Sequence, residues 1–180
     1  AAVGNQGALY VYQGEPRAAA LANAQNWQYQ ALPVSEFAGK LLAITAAPDG
    51  FWVVGEMGTI FHLQQDANRR LTATAKELDQ DINLSDVAVA SDGTVWIAGE
   101  FGTLLHSRDH GNTWQSQELT DVTLQSLAIN ADHMLVVGNS GFMAASYDDG
   151  DNWEPLKPTT TAHLYSATLS DDGWLVAGAN

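Results

Sequence analysis

Four apolar runs, each closed by a glycine, punctuate the chain: Phe51-Trp52-Val53-Val54-Gly55, Val95-Trp96-Ile97-Ala98-Gly99, Met134-Leu135-Val136-Val137-Gly138 and Trp174-Leu175-Val176-Ala177-Gly178. Short apolar runs bounded by turn signals predict strands covered on both faces. Before each lies a segment that alternates, as in Leu124, Ser126 and Ala128 against Gln125, Leu127 and Ile129. A period of two predicts a strand with one face outward. Asp49-Gly50, Asp92-Gly93 and Asp172-Gly173 join the two segments, with Asp132-His133 in the equivalent place. Asp-Gly is a hairpin signal, because glycine takes the positive φ of a type I′ turn. A G-x-x-G turn then leads to a third strand, as in Gly58-Thr59-Ile60-Phe61-His62 and Gly102-Thr103-Leu104-Leu105-His106.

The first glycine of that turn falls at Gly4, Gly55, Gly99, Gly138 and Gly178, at spacings of 51, 44, 39 and 40 residues. About 40 residues is the length of one four-stranded propeller blade. The chain is therefore read as all-β, a β-propeller domain of four-stranded antiparallel blades over 1–180, with repeat units of about 1–36, 37–79, 80–120, 121–158 and 159–180. The count is strands three and four of one unit, three full units, and strands one and two of a last. That makes sixteen strands, about four blades' worth of chain.

The third and fourth strands are joined by a motif that occurs twice, 39 residues apart. Ser107-Arg108-Asp109-His110-Gly111-Asn112-Thr113-Trp114 and Ser146-Tyr147-Asp148-Asp149-Gly150-Asp151-Asn152-Trp153 both read S-x-D-x-G-x-x-W. Gln64 to Leu71 keeps the Asp and replaces Gly by Asn and Trp by Leu. The first unit keeps Asn26-Trp27 but inserts the Ala-rich stretch Glu15 to Gln25, read as a short helix or loose loop.

The motif resembles the Asp-box, or BNR repeat, of β-propellers. The linked run of strand, Asp-Gly, apolar strand, G-x-x-G and box most resembles the photosystem II stability/assembly factor-like propellers. The resemblance implies that Ser107, Asp109, Gly111 and Trp114, and Ser146, Asp148, Gly150 and Trp153, are structural. The carboxylate would accept backbone N–H groups of its own turn, as in Asx-turns. The glycines would supply a left-handed residue, and the tryptophans would pack the turn on the blade. The resemblance also implies a non-catalytic scaffold that binds a protein partner and assists assembly of a membrane complex. Photosynthetic members are thought to use an arginine-rich patch. This chain has only Arg17, Arg69, Arg70 and Arg108, so a relative with another client is expected.

Resembling families usually have six to eight blades. Two readings of the ends stay open: a four-bladed ring whose terminal halves complete one blade, or a piece of a longer propeller, which is favoured. In the second reading, open sheet edges would drive oligomerisation.

Composition narrows the class. Twenty-one acidic against 7 basic residues give a net charge of −14. Nucleic acid is excluded as a partner, since phosphate binding needs clustered Lys and Arg. No stretch approaches the roughly 18 apolar residues of a transmembrane helix. There is no cysteine, hence no disulfide and no thiolate chemistry. The chain begins at Ala1, and the lack of a signal peptide is uninformative. A cysteine-free, acidic, Asn/Gln-rich chain suggests an exported, periplasmic protein, soluble or peripheral to a membrane. No cofactor and no metal site are expected.

Propeller geometry places the turns between strands two and three on one face with the links between blades. Candidate binding residues there are Glu56, Met57, Glu100, Phe101 and Asn139, with Asn5, Gln6 and Ser140 in equivalent places. Glu77, Asp79, Asp81, Asp121 and His163 lie in the links. Met57 and Phe101 beside acids make an amphipathic contact patch for a protein. Singly exposed apolar turn residues explain them equally well.

The alternative class is a carbohydrate-binding propeller, a glycoside hydrolase or a sialidase. A sialidase needs three arginines around the substrate carboxylate, and four in the whole chain, one inside a box, make that triad improbable. A glycosidase needs two carboxylates about 5–10 Å apart, for which Glu56 and Glu100 are the candidates. Asn5 and Asn139 fill the same turn position, so a plain preference for a polar residue is the better account. His62 and His106 hold equivalent places on strand three, read as a blade-to-blade stack rather than a ligand pair. Asp79-Gln80-Asp81-Ile82-Asn83 has the alternation of a calcium loop without its glycine and distal glutamate. It is read as a solvated link.

Overall fold

The computed structural model describes residues 2–12, 26–34, 39–66, 71–131, 133–157, 159–170 and 173–179. The insertion 15–25 lies outside the described residues, as do 67–70 of the degraded box and Arg17, Arg69 and Arg70. Among the described residues, strands form five antiparallel sheets. The first holds β1 (Ala2–Val3), β2 (Ala8–Tyr12) and β3 (Trp27–Ala31). The second holds β4 (Leu41–Ala47), β5 (Gly50–Gly55), β6 (Ile60–Gln65) and β7 (Leu71–Lys76). The third holds β8 (Leu84–Val89), β9 (Val95–Gly99), β10 (Thr103–Ser107) and β11 (Gln115–Glu118). The fourth holds β12 (Leu124–Asn130), β13 (His133–Gly138), β14 (Met143–Ser146) and β15 (Glu154–Pro155). The last holds β16 (His163–Ser170) and β17 (Gly173–Ala179).

Each complete sheet is a meander in which every strand pairs with its sequence neighbours, so the fold is an all-β propeller of four-stranded antiparallel blades. Sixteen strands are expected from the sequence, and seventeen are present among the described residues. The extra one is β1, the tail of a second strand, which pairs Ala2 with Tyr10 and Val3 with Leu9.

The first strands β4, β8, β12 and β16 lie side by side in succession and so face the propeller axis. All four carry a register shift at one repeat position: Leu41/Ala43, Leu84/Asp86, Leu124/Ser126 and Leu164/Ser166. A bulge leaves one residue unpaired and re-aims its neighbours. At Asp86 and Ser126 the side chain beside the bulge meets the next blade.

The apolar runs explain where the core sits. Successive residues of a strand point to opposite faces. Trp52 and Val54 therefore join Leu84, Val87, Val95 and Ile97 between the second and third sheets. Trp96 and Ala98 join Leu124, Leu127, Met134 and Val136 between the third and fourth. Val53 and Phe61 turn the other way, toward Leu9 of the first sheet and Leu32 just beyond its last strand. A strand buried on both faces needs no alternation, and β9 is buried at every residue. Burying one such Leu, Ile or Val side chain contributes about 1.5–3 kcal/mol.

Candidate functional site

The turns between strands two and three have one shape. Gln6, Met57, Phe101 and Ser140 have φ of 56°, 53°, 55° and 57°, and each precedes a glycine that also has positive φ. Two consecutive left-handed residues define the type I′ geometry that prefers Asn-Gly. A methionine or phenylalanine in this region is uncommon, because Cβ crowds the following carbonyl. The glycine is required by the link that crosses it. A Cβ on Gly58 would sit 2.3 Å from the Gln80 carbonyl oxygen.

Hydrogen bonds place the turns and the links on the same face. Gly7 N–H donates to the Gly39 carbonyl (3.2 Å) and Gly58 N–H to the Ile82 carbonyl (2.7 Å). Met57 N–H donates to Asn83 Oδ1 (3.2 Å), and Ser140 N–H to His163 Nδ1 (3.4 Å). Each turn thus grips the chain that leads into the following blade.

At three of these turns the polar residue ahead, Glu56, Glu100 or Asn139, bonds within its own blade. Lys40 donates its N–H to Glu56 Oε2 (3.2 Å), and its Nζ lies 3.2 Å from Oε1. Asn83 donates N–H to Glu100 Oε2 and Nδ2–H to Oε1, both at 2.9 Å. Gln125 Nε2–H donates to Asn139 Oδ1 (3.1 Å). All four carboxylate oxygens of Glu56 and Glu100 therefore have a local partner. The two acids thus tie their turns to the link that enters the same blade. Asn83 is engaged with both Glu100 and Met57, while Asp79 and Asp81 are exposed. Among the described residues no group of three or more His, Asp or Glu is arranged to hold a metal.

Met57 and Phe101 are left at the surface, 42% and 64% exposed. Asn83 connects them, since it accepts from the Met57 N–H and donates to Glu100 next to Phe101.

The boxes lie at the opposite end of the strands, and each box carboxylate bonds within its own turn. Asp109 accepts from the Ser107 hydroxyl (2.8 Å), Thr113 N–H (2.9 Å) and the Thr113 hydroxyl (2.7 Å). Asp148 accepts from the Ser146 hydroxyl (2.8 Å), Asn152 N–H (2.9 Å) and Asn152 Nδ2–H (2.7 Å). The Thr113 hydroxyl, more than any other partner, holds the Asp109 carboxyl down at about 2, and the Asn152 amide lowers Asp148. Gly111 and Gly150 are left-handed, at φ 72° and 82°. The tryptophans pack on the preceding blade rather than their own. Trp114 meets Trp52 edge-on at 6.2 Å, and Trp153 meets Trp96 at 6.2 Å.

The histidines correct one expectation. His62 and His106 do not stack on each other. His62 stacks on Trp52 at 4.4 Å and His106 on Trp96 at 4.5 Å. Each is a cross-strand pair within its own sheet, so in the second and third sheets the column is histidine, tryptophan, then the box tryptophan of the next blade. Burial lowers the pKa of His106, assisted by the Arg108 charge.

Sequence reasoning missed Asp86. Its Oδ2 accepts Leu127 N–H (2.8 Å) and the Ser126 hydroxyl (3.0 Å) from β12. Its Oδ1 accepts Val87 N–H (2.9 Å). Burial raises its pKa, against the opposing hydrogen bonds from Leu127, Ser126 and Val87. Ser126 repeats the device one blade on, accepting Ala167 N–H at 3.2 Å. The signal available was the repeat position itself, filled by Ala43, Asp86, Ser126 and Ser166.

A groove of about 410 Å³ lies at the outer side of the second and third sheets, lined by Glu77, Asp79, Asn112, Thr113 and Trp114 among others. It borders β10 and β11 rather than the first strands.

Meander sheets, bulged inner strands and hydrogen-bonded Asp-boxes define a BNR-repeat propeller. The family model described as photosynthesis system II assembly factor YCF48 matches residues 40–125 and again 74–163. The chain belongs to that family. No curated protein matches it. Among solved structures, one described as YCF48 bound to D1 peptide is similar at 20% identity and a TM-score of 0.61, over 83% of this chain and 49% of that one. YCF48 from Cyanidioschyzon merolae is similar at 17% identity and 0.56, over 77% and 49%. The computationally designed Ika4 protein is similar at 12% identity and 0.59, over 83% and 96%. The chain spans about half the length of the two YCF48 structures, and at these identities the likeness is one of fold.

Proposed function

We propose that this chain is a non-catalytic propeller that binds a polypeptide of a membrane complex and assists its assembly, outside the cytoplasm. Membership of the YCF48 assembly-factor family supports the class of function. The YCF48 structure with a D1 peptide supports a polypeptide as the thing bound. The observation that carries the choice of face is Met57 and Phe101, exposed and left-handed on adjacent turns. A turn alone would favour Asn there, so a side chain that protrudes for contact accounts for what the turn does not. Among the described residues the links on this face carry the exposed acids Asp79, Asp81 and Asp121, which favours a client other than one met by arginines.

The test is affinity capture of the tagged protein from crosslinked native-host membranes, read by mass spectrometry. Recovery of one membrane complex, lost in the Met57→Asn/Phe101→Asn variant, supports the reading. Equal recovery with wild type and variant contradicts the face, and recovery of no membrane polypeptide contradicts the function. Fractionation of the host reports the compartment independently.

The outer groove favours a second reading, sugar binding, because Trp114 lies there beside two carboxylates. A glycan array tests it: binding abolished by Trp114→Ala with the fold intact would establish it, and a blank array would remove it.

A further inference from the structure

We infer that the Met57–Phe101 strip takes a polypeptide segment in which apolar side chains alternate with lysine or arginine. This rests on the proposed partner-binding role and adds the chemistry of the partner. The two exposed side chains stand on neighbouring blades and are tied through Asn83. Acidic links wrap both. The link after β7 crosses Gly58, where its Gln80 carbonyl and Leu78 side chain close on the turn. It carries Asp79 and Asp81, both exposed. The link after β11 crosses Gly102, where the Thr120 carbonyl closes on the next turn. It carries Asp121, also exposed.

Glu56 and Glu100 are held by Lys40 and Asn83, whereas Asp79, Asp81 and Asp121 are exposed and form no ion pair among the described residues. An apolar strip with an anionic rim attracts its electrostatic complement. An extended segment repeats its side chains about every 6.6 Å on one face and aims the intervening ones the other way, so apolar residues can seat on the strip while the long, flexible lysine or arginine side chains between them bend to the flanking rim. A neutral apolar segment would leave the rim unpaired, and an acidic one would be repelled.

The left-handed backbone makes the test sharp. Asn tolerates positive φ better than Phe or Met, so Met57→Asn/Phe101→Asn keeps or raises the melting temperature while removing the apolar strip. The probe is a fluorescein-labelled 15-residue peptide of alternating leucine and lysine, read by anisotropy with the full chain. Control peptides replace lysine by glutamate or leucine by serine. The expected result is at least tenfold weaker binding of both controls, and at least tenfold weaker binding of the leucine–lysine peptide to the Asn variant. Asp79→Asn/Asp81→Asn/Asp121→Asn is expected to weaken binding and flatten its salt dependence. If the serine–lysine peptide binds as well as the leucine–lysine peptide, or the Asn variant binds as well as wild type, the inference is overturned. A client captured from membranes by wild-type protein and lost in the Asn variant, but without such an alternating basic segment, overturns it too and leaves the partner-binding role standing.

Discussion

The carboxylate of Asp86 reaches across a blade boundary to the backbone N–H of Leu127, at 2.8 Å. Forty-one residues separate the two, and the bulge at Leu84/Asp86 is what turns the side chain outward from its own sheet. One blade later the bulge at Leu124/Ser126 turns Ser126 toward Ala167 in the same way. Where Ala43 supplies no acceptor, the Val87 N–H one blade on is taken by Asp86 itself, at 2.9 Å. Blade order is thus held by a polar contact near the axis as well as by apolar burial farther out.

Removing that contact should be costly. Asp86→Ala leaves the N–H groups of Leu127 and Val87 without their acceptor, and an unpaired buried donor costs about 1–3 kcal/mol. Asp86→Ser copies the next blade and should recover part of the loss. Urea denaturation of the three proteins measures both values.

The acids respond to pH in opposite directions. The boxes hold Asp109 at about 2 and lower Asp148, from a usual value of 3.8. Their contribution is complete above 3.8 and is lost as pH falls toward 2, because the unfolded chain takes up the proton first. Asp86 is raised by burial, so the folded state takes its proton first and its contribution declines as pH rises above 3.8. Thermal melts across pH 2–6 should show a steep acid limb that Asp109→Asn flattens. Asp86→Ser should remove the decline on the other side.

Three glycines should rank by what their Cβ would meet. At Gly150 it would lie 2.3 Å from the Trp96 ring, at Gly111 2.8 Å from the Trp52 ring, and at Gly93 in open space. All three have positive φ, which alone costs an alanine about 1–2 kcal/mol. Gly93→Ala should cost about that much, Gly111→Ala more, and Gly150→Ala the most. Calorimetric melts check the order.

The ring columns should behave as units. Trp96→Ala opens a cavity beneath the Trp153 ring and beside His106, and losses of this kind run to about 3–5 kcal/mol. Trp153→Ala in the same background should add less than it costs alone, since the edge contact at 6.2 Å is already gone. A double-mutant cycle in urea reads the shortfall.

Much of this was legible in the chain. The apolar runs and their glycines located the second strands, and S-x-D-x-G-x-x-W located the boxes, because both rest on contacts within a few residues. The inter-blade relationships were not legible in the same way. Asp86 reads as one more outward acid in an alternating strand until its partner 41 residues away is placed beside it. Trp52 and His62 pair through hairpin register, which the intervening turn sets and which a count of its residues could have supplied. Glu56 and Glu100 looked alike and are alike, but the partners that occupy them, Lys40 and Asn83, sit in links whose path no periodicity reports.

The most direct test of the central claim is photo-crosslinking from two faces. A photoreactive residue replaces Phe101 on the turn face or Asn112 on the box face, and each protein is expressed in the native host and irradiated. The account predicts an adduct with a membrane-complex polypeptide from position 101 and none from position 112. Adducts from position 112 alone, or none from either, would contradict it.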